Sequence, residues 1–303
     1  MLDAFLASTI AMAVPILLAA LGELIVEQSG VINIGIEGAM LTGAFFGLAI
    51  AYLSGNLILG LGAAIAAAVV LNLVLAFVIV NLAVNQVVAG TAINMLALGL
   101  TGVVYRRLFG ITGQAITVAT LAPLPMGPLA RIPLIGRTLF DQNLLVYVTF
   151  LLVPVIAYIV TRTRYGLYLR AAGEHPAAAD ALGLNVYRIR WIALMIAGAM
   201  SGLGGAYLTL AYTNTFVEGI SGGRGFVALA VVIVGRWNAW GIAAASVLFG
   251  AAIALQFTLQ ATGAHLPYQL FLALPYVLTL VVLAIVGGQA QSPSALGAPY
   301  VRD

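Results

Sequence analysis

Asn33 and Glu37 stand four residues apart in an apolar stretch, a spacing that would set both on one face near the start of a helix. A charged side chain at bilayer depth costs roughly 3 kcal/mol on insertion scales, so Glu37 is expected to face the protein interior and find a partner. Two readings stay open for it: a solute-path or gating residue, or a hydrogen-bonded packing contact near the interface. Gln86, Gly90 and Asn94 recur at the same spacing, and Thr101 extends the stripe. Such a face can line a route for a hydroxylated solute or act as hydrogen-bond glue between helices. On this reading Asn33, Glu37, Gln86 and Asn94 are the candidate solute-path residues.

Gly219-Ile220-Ser221-Gly222-Gly223 fits the Gly-x-Ser-x-Gly pattern of serine hydrolases, with His265 further along. That chemistry needs a preorganised turn and a base within hydrogen-bond reach. Here the surroundings are rich in glycine and His265 lies near Pro267 at the end of an apolar run, so a flexible loop is the plainer reading. The chain has no cysteine, two histidines (His175 and His265) and no cluster of carboxylates, so neither a metal site nor a catalytic set is expected. All 12 basic residues are arginine. A lysine-dependent phosphate loop is thereby ruled out, and nothing suggests a basic, aromatic-lined groove for nucleic acid.

These residues sit in a chain that is 63% hydrophobic and 7% charged, whereas an average soluble domain is about a quarter charged. A water-soluble fold is excluded. Runs approaching or exceeding the roughly 20 apolar residues a bilayer requires cover 5–21, 31–52, 57–80, 84–104, 144–160, 191–212, 239–257 and 266–285. Residues 226–234, bordered by Gly222, Gly223, Gly225 and Gly235, are too few to span and are expected to form a re-entrant or broken segment. The expectation is an all-α polytopic transmembrane helix bundle, one domain over 1–303, with about 8–10 membrane segments. Strand-like alternation is absent, which argues against a β-barrel. Glu37 is the one carboxylate within a predicted span, which speaks against a proton-driven carrier. Met1-Leu2-Asp3 is acidic where a secretory signal would be basic, so the first run is expected to remain as a membrane helix.

Two polar interruptions divide the runs. Residues 105–143 hold Pro123, Pro125, Pro128 and Pro133 with several glycines, a composition for an irregular packed loop. In residues 161–190, Pro176 suits a first helical position, 177–182 are mostly good helix formers and Gly183 is placed to end the helix. A two-turn helix parallel to the membrane is predicted there. Arg162, Arg164, Arg170, Arg188 and Arg190 lie in this second loop, against Arg106, Arg107, Arg131 and Arg137 in the first, so charge alone orients the chain only weakly. Gly43 with Gly47, and Gly198 with Gly202, have the small-residue spacing that lets helices approach closely.

Three stretches together resemble the permeases of ABC importers for branched-chain amino acids, ribose-type sugars and nucleosides. They are Gly30-Val31-Ile32-Asn33-Ile34-Gly35-Ile36-Glu37-Gly38, then Gly173-Glu174-His175-Pro176 through Gly183-Leu184-Asn185, then Gly223-Arg224-Gly225-Phe226-Val227-Ala228-Leu229-Ala230 to Gly235-Arg236-Trp237-Asn238. The first and third are most similar to the nucleoside and simple-sugar subgroup. The resemblance implies that a loop over about 162–190 is cytoplasmic and carries a coupling helix that docks on an ATPase. The coupling residues it implies are Gly173, Glu174, Pro176, Ala178, Ala179, Asp180 and Gly183. The family's Ala-Ala-x-x-x-Gly pattern falls on Ala178, Ala179 and Gly183, and Ala177 stands where many relatives have Glu.

The same resemblance implies no cofactor in this chain, ATP and Mg being bound by a separate ABC ATPase subunit. It implies a second permease subunit, a paralogue or a second copy, and an extracytoplasmic solute-binding protein. The loop over about 105–142 and the region around Glu218 are the candidates for meeting that protein. It places the chain in the lipid bilayer of a bacterial-type cytoplasmic membrane; if the second loop is cytoplasmic, counting five spans back puts Met1 outside. The alternative is a secondary transporter or channel for small polar solutes that works without ATP.

Overall fold

A computed structural model describes residues 2–110, 116–125, 136–261, 268–286 and 292–302. Its elements in chain order are α1 Leu2–Gln28, α2 Ile36–Ser54, α3 Leu57–Ala76, α4 Gln86–Phe109, β1 Pro123–Pro125, α5 Gly136–Phe140, β2 Asp141–Asn143, α6 Leu144–Arg162, α7 Arg164–Glu174, α8 Pro176–Ala181, α9 Val186–Tyr207, α10 Arg224–Val234, α11 Ala239–Ala261 and α12 Tyr268–Val286. Seven of them are long and apolar enough to cross a membrane. The chain is thus an all-α multi-pass membrane protein, and α12 adds a further apolar helix of 19 residues. The expected eight runs each become a helix, and the short ninth becomes α10, of 11 residues.

The core forms because several helices are apolar on every side, a composition suited to burial rather than to a wet surface. α1 is the clearest case: from Met12 to Glu27 every residue is buried, and it lies against α9 and α11. Lipid offers little hydrophobic drive for helices to associate, so close contact depends on small residues. The two glycine pairs of the sequence meet each other here. A side chain on Gly43 of α2 would fall 2.5 Å from the Gly202 backbone of α9, and one on Gly202 would lie 2.6 Å from the Ala64 carbonyl of α3. Gly198 abuts Ala68 and Asn72 of α3 at 3.0 Å in the same way. The crossing of α2, α3 and α9 therefore exists because these positions lack side chains.

α3 and α9 each end in a single π-helical turn, Phe77–Asn81 and Leu208–Tyr212, and the first carries Asn81 to a hydrogen bond from the Trp191 indole at 2.9 Å. α6 is 19 residues long, about 28 Å at 1.5 Å per residue, so the loops before and after it lie at opposite ends of the bundle. The first loop holds more order than an irregular segment: β1 pairs antiparallel with β2. It also bridges to the chain after α9, through Thr117 and Thr215 and the Arg106–Glu218 ion pair at 3.0 Å.

Candidate functional site

Residues 29–35 are not helical, contrary to the single run expected over 31–52. Gly30 turns the chain at φ +84°, and α2 starts only at Ile36 behind Gly35. Asn33 and Glu37 therefore do not share a helix face: Asn33 lies in the break and Glu37 in the first turn of α2. The break leaves backbone groups unpaired inside the protein, and these need partners. Gln86 Oε1 accepts the Ile32 N–H at 2.7 Å. Asn94 Oδ1 accepts the Gly38 N–H at 2.7 Å, and Asn94 Nδ2 donates to the Ile34 carbonyl at 2.8 Å. The polar stripe of α4 thus clamps the break, with Gly90 allowing Ile34 to approach.

Glu37 does the corresponding work for α10. Its Oε1 accepts the Gly223 N–H at 2.8 Å and its Oε2 the Gly225 N–H at 2.7 Å. A helix that begins inside the protein has unpaired N–H groups and a positive dipole end, and a carboxylate answers both. Asn33 is different. It is fully buried, its N–H donates to Glu23 Oε1 at 2.9 Å, and neither Oδ1 nor Nδ2 of its side chain has a partner. Glu23 Oε2 beside it is also unpartnered.

Glu23 and Glu27 do not read as span residues in the sequence because the apolar run stops at Leu21, whereas α1 continues to Gln28. Glu37 is therefore not the one carboxylate in a span. Glu27 Oε2 accepts the Trp237 indole N–H at 2.6 Å, which ties α1 to the turn after α10. The signal in the sequence was the spacing Glu23–Glu27 followed by glycine only at Gly30.

At the end of the bundle beyond α6, the expected short helix is joined by a second. α7 precedes it, and α8 begins with Pro176 at its first position. Gly183 adopts φ +87°, and the N–H of Leu184 returns to the Ala179 carbonyl at 3.0 Å, so the chain turns back as glycine permits. Ala178 is exposed while Ala179 is buried: Ala179 seats α8 on its own subunit, and the outward face comprises Ala177, Ala178, Ala181 and Leu182. Leu182 is 85% exposed and was not singled out from sequence. Gly173 packs against Gln28 and Gly30 with no room for a side chain. Glu174 accepts from Ser294, and Asp180 pairs with Arg302 at 3.0 Å. Burial pushes the Tyr165 phenol of α7 up to about 12, and its oxygen lacks a partner.

Ser221 lies in a turn before α10 and is buried, not exposed on a strand-to-helix elbow, and His265 lies outside the described residues. Among the described residues no group of three potential metal ligands occurs.

Residues 5–283 match the family described as branched-chain amino acid transport system / permease component. The chain belongs to that family. It is 34% identical to the guanosine ABC transporter permease protein NupQ of Bacillus subtilis, over 97% of this chain and 95% of the relative. It is 33% identical to the nucleoside ABC transporter permease protein NupC of Lactococcus lactis, over 99% and 98%, and to a putative glucose ABC transporter permease protein of Haloferax volcanii, over 98% and 97%. More distant matches in the first two organisms are the permeases NupP and NupB. No solved structure matches. As a permease of this family the chain is a transport component, and the family assignment answers the hydrolase and ATP-independent readings.

Proposed function

We propose that this permease moves nucleosides, or related simple sugars, across the cytoplasmic membrane as one of two membrane subunits of an ATP-driven importer. The observation that carries the reading is the full-length similarity to two permeases named for guanosine and for nucleosides. The separate ATPase binds ATP and Mg, and it docks on the outward face of α8, where Leu182 projects between Ala178 and the turn at Gly183. The second subunit is a paralogue, by analogy with the organisms whose genomes encode both a close and a distant relative of this chain. The solute-binding protein meets the opposite end, where residues 116–125 and the Glu218 region come together.

Of the four solute-path candidates, Gln86, Asn94 and Glu37 are occupied by backbone groups in this conformation. Asn33, with Glu23 behind it, keeps unpaired hydrogen-bonding atoms but is fully buried, so it would meet a hydroxylated solute only in a conformation that opens the break. The test is affinity purification from native membranes in mild detergent, followed by uptake of radiolabelled guanosine and glucose into proteoliposomes. An ATPase retained by the native chain and lost on Gly183→Pro supports the coupling surface, because proline cannot adopt φ +87°. A well-folded native chain that retains no ATPase refutes it, and uptake of glucose but not guanosine refutes the nucleoside assignment.

A further inference from the structure

Residues 292–302 lie across both regions described above. Ser294 donates its hydroxyl to Glu174 Oε2 at 2.6 Å and its N–H to the same oxygen at 3.2 Å. The Ala295 N–H reaches the Gly173 carbonyl at 2.9 Å, and the Gly297 N–H reaches the Gly30 carbonyl at 3.0 Å. Arg302 Nε pairs with Asp180 at 3.0 Å. Tyr300 packs edge-on against Tyr187 with ring centres 6.0 Å apart, and the Arg190 guanidinium lies 6.0 Å from its ring centre. Arg190, itself buried, donates through Nε to the Ser29 carbonyl at 3.2 Å. One short segment therefore touches α7, α8, the start of α9 and the break between α1 and α2.

We infer that residues 292–302 are a transmission strap that binds the α7–α8 coupling loop to the α1–α2 break, so that displacement of α8 is delivered to the chain around Asn33 and Glu37.

The inference rests on the importer reading. α8 has six residues, too few to hold a conformation alone, and the packing of Ala179 and of Gly173 on Gly30 fastens the loop to the bundle only through apolar contacts and close backbone approach. The strap adds backbone hydrogen bonds at Gly173 and Gly30, the residues whose close approach already joins the two regions, and a charge-assisted bond to Glu174. A cover that blocked docking would lie on the outer face of α8, and the strap leaves Ala177, Ala178, Ala181 and Leu182 exposed.

The test uses the complete importer in proteoliposomes, with residues 292–303 deleted. We expect the ATPase to co-purify in unchanged ratio and to hydrolyse ATP, while stimulation of hydrolysis by the guanosine-loaded binding protein falls about fivefold or more, the scale of a typical coupling between sites. Undiminished stimulation, or loss of the ATPase from the deleted protein, overturns the strap. Should the deleted chain fail to fold, Glu174→Cys with Ser294→Cys, placed in a chain free of other cysteine, is joined by a short bifunctional thiol reagent. Stimulation that survives joining supports a strap in place throughout the cycle, and stimulation abolished by joining overturns it. An intact importer that retains no ATPase sinks the importer reading instead, which keeps the two failures apart.

Discussion

The α1–α2 break and the α7–α8 loop both separate long apolar helices and both contain glycines at close contacts or turns, yet they treat polar groups in opposite ways. At the break, side chains from other helices come to the backbone: Gln86 and Asn94 from α4 hold residues 32–38, and Glu37 in turn holds the start of α10. At the loop, caps are local: Thr163 serves the first turn of α7 and Asn185 that of α9, while one face is left bare. The difference follows from solvent. Water satisfies a surface loop, so its residues are free to serve a partner, whereas inside the protein each orphan N–H or carbonyl must be met by protein.

This contrast makes Glu37→Ala the most damaging change. It leaves the Gly223 and Gly225 N–H groups without an acceptor and should cost about 3 kcal/mol, read as a lower midpoint of thermal unfolding in detergent, with Glu37→Gln milder. If Glu37→Ala unfolds like the native protein, the anchoring role assigned to Glu37 is wrong. Next comes Gly43→Val, whose side chain has no space against Gly202; about 2 kcal/mol of overpacking is expected in the same assay. It is the control for damage to the bundle that spares both polar regions.

Leu182→Asp should act on the partner alone. We expect ATPase retention weakened about tenfold, equivalent to about 1.4 kcal/mol, with an unchanged unfolding midpoint; a lowered midpoint would show that Leu182 supports the fold. Asn33→Leu sharpens the other side. Removing an amide whose polar atoms are buried and unpaired should change stability by less than about 1 kcal/mol, while transport in proteoliposomes falls; retained transport would remove Asn33 from the solute path. The smallest effect is expected for Arg106→Ala. Its ion pair with Glu218 is half exposed, and such pairs contribute about 0.5 kcal/mol, so any large loss of binding-protein affinity would come from recognition rather than stability.

The α7–α8 loop was legible because its signals are local. Pro176, the alanines and Gly183 each act through their own backbone preferences, and α8 with its left-handed end follows directly. What the sequence alone did not show was α7 as a separate helix, since Arg164–Glu174 lacks an apolar run, or the inward turn of Ala179. At the break the local reading failed: the four-residue spacing of Asn33 and Glu37 suggested a helix, and the glycines at positions 30 and 35 decided otherwise. Glu23 and Glu27 escaped notice because an apolar-run criterion ends a span where charge begins, although a buried helix can continue if neighbours supply Trp237 and the Asn33 backbone as partners.

The sequence by itself determined that the chain lives in a bilayer, where its long apolar runs lie, that 226–234 is too short to span, and that a small capped helix interrupts the second of the two long polar stretches. These depend on composition, run length and backbone preference, each readable one residue at a time. Only the tertiary structure decided that the stripe of α4 holds the break, that Glu37 anchors α10 some 186 positions away, that the two glycine pairs meet, and that residues 292–302 bridge the α7–α8 loop to Gly30. Those pairings are set by how helices pack, and two residues far apart in the chain carry no local mark of which partner they will meet.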